Sequence, residues 1–271
     1  MTPVDIVRGD SPLVLGLPHT GTWVPDDIRA SLNDEGRLLR DTDWHIHQLY
    51  GGLIPGATMV RAAFHRYVID ANRDPSGLSL YPGQSTTGLV PLTTFDNAPI
   101  WAEDPDEAEV ARRVALYHAP YHAALLAELS RVRALHGYAV LYDCHSIRSV
   151  IPWLFEGVLP DLNIGTNHGT TCAPGIEEAA LAAAAATGRT HVLNGRFVGG
   201  WTTRAYGRPA EGFHAIQMEL AQSSHLATEE PPFDIDVEKA APLRRQLTTI
   251  LTDILTAARA AAGPAPALPR P

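Results

Sequence analysis

The side chains able to do chemistry in this chain cluster where apolar runs end. His19 closes the run 13–17 inside Pro18-His19-Thr20-Gly21. A neutral imidazole followed by glycine at a strand end can turn into a crevice and bind a metal, although capping the next helix is the commoner role of a lone histidine. Asp143-Cys144-His145-Ser146 follows the run 138–142. Strand alternation puts Asp143 and His145 on one side, where a carboxylate can orient a histidine ligand. A polar cluster that stabilises a turn fits the same residues. The same alternation turns Cys144 and Ser146 away from His145, and no G-x-S-x-G elbow is present, which disfavours a thiol or serine nucleophile.

Two further groups complete the set. Asp70-Ala71-Asn72-Arg73-Asp74, preceded by Arg66, offers in Arg73 a planar fork for a carboxylate and in Asn72 a donor beside it. An internal ion pair between Arg73 and Asp70 or Asp74 is the alternative. Glu219 sits within Ile216-Gln217-Met218-Glu219-Leu220 on the same face as Gln217. A carboxylate in an apolar strand is costly unless paired or functional, which favours a proton-transfer role over the polar face of an edge strand.

The elements that must hold these groups read as strands alternating with helices. Strand-length apolar runs occur at 13–17, 57–62, 67–69, 138–142, 191–193 and 215–220, and helical spacing at 104–135 (interrupted near Pro120), 177–186 and 237–262. This order predicts an α/β fold with a sheet covered on both faces, in which ligands sit outside the carboxyl ends of the strands. Residues 1–262 are expected to form a single catalytic domain. The stretch 74–99, rich in Pro, Gly, Ser and Thr, reads as a functional loop, and 263–271 as a disordered tail.

Composition narrows the partners. The 271 residues carry a net charge of −9 without a cluster of Lys and Arg, which argues against a nucleic-acid surface. No run approaches the roughly 18 apolar residues of a membrane span. Two cysteines make no disulfide framework, so reduced thiols in the cytoplasm are expected.

Taken together, the motifs resemble the N-formylglutamate amidohydrolase family. The resemblance covers residues 12–225 and rests on P-H-T-G from Pro18, D-T-D-W from Asp41, D-A-N-R-D-P from Asp70, Y-H-A-A-L from Tyr121 and D-C-H-S-I-R-S from Asp143. It continues through P-W-L-F-E-G-V-L-P-D-L-N-I-G-T-N from Pro152, F-V-G-G-W-T-T-R-A-Y-G from Phe197 and A-I-Q-M-E-L from Ala215. The family is similar to zinc carboxypeptidases and aspartoacylases. That likeness implies a three-layer domain with a mixed sheet and a zinc site, and iron, cobalt or manganese would suit similar ligands.

By motif order the resemblance implies His19 and His145 as metal ligands, Asn72 and Arg73 as a carboxylate clamp, and Glu219 as catalytic acid and base. The distant relatives carry an acidic ligand three residues after the first histidine, and this chain has Thr22 there. Asp43 is the first choice to replace it, with Asp41, His45 and His47 open. A helix would set Asp43 and His47 one turn apart, whereas a solvated helix start explains the acids equally well.

The implied reaction is metal-dependent hydrolysis of N-formyl-L-glutamate to formate and L-glutamate in histidine degradation. A small dicarboxylate substrate needs a second cation, for which Arg204 is expected, with Arg66 and Arg148 behind it. A related N-acyl amino acid amidohydrolase, or a non-catalytic protein binding an acidic metabolite, would share many of these residues. Oligomeric state is not legible in the sequence.

Overall fold

The structure is a computed structural model that describes residues 2–78 and 86–263. Along the chain come β1 (Val4–Val7), β2 (Leu13–Leu17), α1 (Asp26–Ser31), α2 (Ile46–Tyr50), β3 (Thr58–Ala62), α3 (Glu107–Arg113) and α4 (Ala119–His136). There follow β4 (Ala139–Ile147), β5 (Leu162–Gly165), α5 (Pro174–Ala186), β6 (His191–Leu193), α6 (Trp201–Tyr206), β7 (Phe213–Ala221) and α7 (Val237–Ala262). The strands form one seven-stranded sheet in the order β1-β3-β2-β4-β7-β5-β6. Its centre, β3-β2-β4-β7, is parallel, while β1 runs antiparallel to β3 and β5 antiparallel to β7. The mixed α/β sheet expected from the sequence is therefore the fold.

Alternation along the central strands builds two cores. Leu13, Leu15 and Leu17 of β2, Val140, Tyr142 and Cys144 of β4, and Ile216, Met218 and Leu220 of β7 pack beneath α2, α5 and α7. The opposite face sends Val14, Leu141 and Ala215 against Tyr121, Leu125, Leu129 and Val132 of α4 and Ile28 of α1. These faces make the three layers, because each strand of period two must bury both of its sides. Asp143, His145, Gln217 and Glu219 share the α4 side, near its open, carboxyl-terminal end.

The helical pattern at 104–135 resolves into three pieces. Asp106 caps α3 by accepting from the Glu109 N–H at 2.8 Å. A π-helical turn, Val114–His118, then leads without a break into α4, where Pro120 is the second residue and offers no N–H to the turn before it. The helix at 237–262 begins on Asp236, whose carboxylate accepts from two backbone N–H groups.

Three departures from the sequence reading have simple causes. Residues 67–69 are fully buried but form a turn and loop rather than a strand, since a three-residue apolar run reads alike in either setting. β1 and β5 escape the pattern because each has only four residues. The first is an exposed edge and the second carries a buried Asn163 bonded to the Pro160 and Glu219 carbonyls. Finally, Asp143 and His145 lie within β4, not after it. Residues 79–85 of the loop expected at 74–99, and the tail from 264 to 271, lie outside the described residues. Among the described residues no helix is long and apolar enough to cross a membrane.

Candidate active site

β2 ends at Leu17, and the chain turns so that His19 lies over the sheet beside His145 of β4, with ring centroids 5.0 Å apart. Asp43 joins them from the loop before α2, held by its backbone N–H donating to the His19 carbonyl at 3.0 Å. The three side chains are buried, and one nitrogen or oxygen from each lies within 4.8 Å of the other two. Asp43 Oδ2 is 3.1 Å from His145 Nδ1 and 3.7 Å from His19 Nδ1. Each imidazole also rests its outer nitrogen on a carboxylate. His19 Nε2 is 2.7 Å from Asp70 Oδ1, while His145 Nε2 is 3.1 Å from Asp143 Oδ1 and 3.2 Å from the Asn72 side-chain nitrogen.

This arrangement fits a metal. Asp70 accepts, so His19 Nε2 carries the proton and Nδ1 offers its lone pair inward, where it is buried and has no hydrogen-bond partner. Carboxylates that fix a histidine tautomer in this way are the usual outer support of metal ligands. Charge argues likewise. Asp41, Asp43, Asp70, Asp143 and Glu219 are all buried here, with Arg66 and Arg73 as the neighbouring cations. Buried carboxylates need compensation, and a divalent ion between the two imidazoles and Asp43 would supply it. Burial alone would push Asp43 up, but its hydrogen bond to His145 and the nearby His19 imidazole outweigh it and hold its carboxyl well below the usual range. Burial opposes charge on His145, yet Asp143 and then Asp43 raise it above an ordinary imidazole.

The open choices for the acidic member separate cleanly in space. His45 adopts a left-handed backbone, φ 61°, which breaks the helix that would have stacked Asp43 on His47. His47 Nδ1 pairs with the Thr20 hydroxyl at 2.6 Å, and His45 Nε2 donates to the Phe233 carbonyl at 2.8 Å. Asp41 accepts from the Tyr67 hydroxyl and the Phe95 N–H, which ties down a loop. Of the four, Asp43 is the one that faces both histidines.

Glu219 lies on β7 directly opposite His145 in the β4–β7 register. Gln217, two residues earlier on the same face, accepts from the Gly200 N–H at 2.7 Å and so must turn its amide N–H toward Glu219 Oε2, 3.2 Å away. Burial raises the Glu219 carboxyl to about 8, with Asp43 and Asp143 adding to the rise while His145 and Arg66 draw it down. A buried carboxyl poised near neutrality, beside a metal-binding triad, suits general acid–base work.

The remaining wall is cationic. Arg73 and Asn72 line the same cavity as His19, His145 and Glu219, as do Thr86, Thr87, Phe95, Arg196 and Phe197. Arg73 Nη2 donates to the Thr86 and Thr87 hydroxyls, at 3.3 and 3.1 Å. The internal ion pair weighed for Arg73 is a long one, 3.8 Å to Asp70. Asp70 instead serves His19 and Arg66.

Two expected arginines are placed differently from the sequence reading. Arg66 reaches the cavity, but its guanidinium is buried against Asp70 at 2.7 Å and Asp43 at 3.6 Å, so it reads as a brace for the carboxylates. Arg204, on α6, sends Nε to the Gly199 carbonyl and is not among the cavity-lining residues. Gly200, which precedes α6, lines the cavity, whereas Arg204 lies in the last turn of that helix. Arg148 pairs with Asp96 at 2.5 Å. Arg196 is the cation that sequence reasoning missed; it precedes the F-V-G-G-W motif by a single residue, and that adjacency was the available signal. Cys144 faces the opposite core, as alternation requires.

The family model for N-formylglutamate amidohydrolase matches residues 11–226. The chain belongs to that family. An N-formylglutamate deformylase of Pseudomonas putida is 45% identical over 252 residues, covering 92% of this chain and 94% of the relative. One from Pseudomonas aeruginosa is 44% identical with the same coverage. The crystal structure of an N-formylglutamate amidohydrolase from Ralstonia eutropha JMP134 superposes with a TM-score of 0.80 at 29% identity, covering 96% of this chain and 99% of that one. A gene product from Agrobacterium tumefaciens shares the fold at a TM-score of 0.69 and 19% identity, over 94% and 96% of the two chains.

Proposed function

We propose that the protein hydrolyses N-formyl-L-glutamate to formate and L-glutamate, with His19, Asp43 and His145 holding a zinc ion. The observation that carries this reading is the buried His19–Asp43–His145 cluster facing Glu219 at one end of a cavity whose other walls hold Arg73 and Arg196. The high identity to N-formylglutamate deformylases supports the same substrate.

The residues divide the work. Arg73 takes one substrate carboxylate, with Asn72 beside it, and Arg196 takes the other, so that the formyl group is delivered toward the triad. A zinc ion bound there supplies Lewis acidity and lowers the pKa of water from 15.7 toward roughly 7. Glu219 accepts the proton of the attacking water at its carboxylate and returns it to the departing amine. Gln217 steadies that carboxylate through its 3.2 Å hydrogen bond, and Asp70 and Asp143 keep the two imidazoles turned inward. Phe95 and Phe197 add apolar surface to the cavity wall, beneath the Arg66 and Arg196 guanidiniums.

Formate release from N-formyl-L-glutamate tests the proposal, with N-acetyl-L-aspartate run alongside and both repeated after chelation. Chelator-sensitive release from the formyl substrate is expected. Silence from folded, zinc-loaded protein would overturn the substrate assignment, and turnover of the acetyl substrate would move it to a related acyl group. Unimpaired turnover after complete metal removal would overturn the metal assignment instead.

A further inference from the structure

Two histidines outside the catalytic set grip the turn that carries the carboxylate clamp. His118 closes the π-helical turn before α4, and His122 lies one turn further on. His122 Nε2 donates to the Ala71 carbonyl at 2.8 Å, and His118 Nε2 donates to the Arg73 carbonyl at 3.0 Å. The two carbonyls bracket Asn72. Both imidazoles are buried, lie tilted at 42° with centroids 4.4 Å apart, and pack on Trp201, His122 at 4.5 Å and His118 at 5.5 Å.

The rest of the turn is fastened as tightly. Asn72 N–H donates to Asp70 Oδ1 at 2.8 Å, and Asn72 Oδ1 accepts from the Thr202 N–H at the same distance. The residue after Trp201 therefore fixes the clamp's side chain, while the rings packed on Trp201 fix its backbone. A carbonyl only accepts, so each histidine must present a protonated Nε2. In His122 this leaves Nδ1 as an acceptor 3.0 Å from the Tyr206 hydroxyl, whose proton it shares with the His122 carbonyl at 3.2 Å. Burial pushes the His122 imidazole down to about 3 and lowers that of His118, so neither ring gains a second proton near neutrality. The π turn has a use here, because one extra residue in a helical turn re-aims the side chains that follow it.

We infer that His118 and His122 are positioning residues for substrate-carboxylate recognition, acting through the Ala71 and Arg73 carbonyls to set where the Arg73 guanidinium meets the substrate. The inference rests on the reading of Arg73 as a carboxylate clamp. It adds residues that do not themselves line the cavity.

The test compares N-formyl-L-glutamate with N-formyl-4-aminobutyrate, which lacks the α-carboxylate, and N-formyl-2-aminobutyrate, which lacks the side-chain carboxylate. Arg73→Met in the zinc-loaded enzyme identifies which carboxylate the clamp reads, by losing discrimination against one analogue. His118→Phe and His122→Phe keep a ring on Trp201 but remove the donor. They are expected to raise KM for N-formyl-L-glutamate roughly three- to tenfold each, the worth of one hydrogen bond, with kcat and zinc content unchanged. The same variants should lose discrimination against the same analogue as Arg73→Met. His118→Gln and His122→Gln, whose amide nitrogen can reach the Nε2 position, should restore most of it, and these variants carry the test if the phenylalanine versions do not fold. An equal loss on all three substrates, or a fall in kcat without a change in KM, would overturn the positioning role. If Arg73→Met itself leaves discrimination intact while the parent enzyme is active, the clamp reading falls and this inference with it.

Discussion

Replacing Glu219 by Gln should destroy turnover and, in the metal-free protein, increase stability. The side chain is only 7% exposed, and burial, the largest influence, lifts its carboxyl from 4.5 to about 8. Such a group binds its proton more tightly folded than unfolded, so its ionisation opposes folding. The cost is absent below the unfolded value, grows as pH rises, and levels off above the folded value. At pH 7 the group has been carried about 2.5 units past its unfolded pKa, which amounts to roughly 3 kcal/mol at 1.36 kcal/mol per unit. At pH 5 the same arithmetic leaves under about 1 kcal/mol. Glutamine keeps an oxygen for the Gln217 amide and carries no charge, so Glu219→Gln should recover much of this cost. Its Tm after chelation should exceed the parent's by roughly 5–10 °C near pH 7. The gain should shrink toward pH 5, and zinc should erase it by compensating the parent's carboxylate. Thermal denaturation of both proteins from pH 5 to 8, with and without zinc, reads the stability, and formate release reads the chemistry. A stability difference that does not vary with pH would refute desolvation as the cause. Parental turnover by the variant would remove Glu219 from the mechanism.

The other predictions concern the metal and the walls of the cavity. His19→Ala and His145→Ala should each lower bound zinc in elemental analysis. Asp70→Asn should weaken zinc affinity roughly 10- to 100-fold while leaving the ligand set intact, since Asp70 acts by orienting His19. Arg196→Met should raise KM for N-formyl-L-glutamate far more than Arg204→Met, because only the first lines the cavity; equal effects would return the second-carboxylate role to α6. Gly200→Ala places a Cβ 2.3 Å from Asn72 Nδ2, so the clamp must shift, and a cost of about 1–3 kcal/mol is expected to appear in kcat/KM as roughly fivefold or more. Wild-type kinetics in that variant would show that Asn72 can move without consequence.

A good part of this site was legible because its chemistry is written in strand periodicity. Asp143 with His145, and Gln217 with Glu219, had to share a face once they sat in strands, and Cys144 had to leave it. His19 stood out as a polar group at the end of an apolar strand, and the Asn72-Arg73 pair after an apolar run that forms a turn instead of a strand. The family motifs carried the rest, including the expectation of a metal. What stayed open was whatever depended on loops. Asp41, Asp43, His45 and His47 are near neighbours in sequence, and a left-handed turn at His45 decides which of them faces the histidines. No periodicity encodes such a turn.

Long-range placement lay equally beyond the sequence. Arg196 and Arg204 are eight positions apart and chemically alike, yet the chain before α6 runs along the cavity while α6 points only its amino end there. Nothing in local composition distinguishes the two. The buried support of the site has the same character: Asp70 reaches back to His19, Gly200 to Gln217, and His118 and His122 to the clamp turn. By itself the sequence determined the elements, their buried faces and the kinds of side chain at their ends, since those follow from local periodicity and hydrophobicity. The tertiary structure alone decided which of those side chains meet, because hydrogen bonds between residues distant in the chain are fixed only when the sheet and its loops close together.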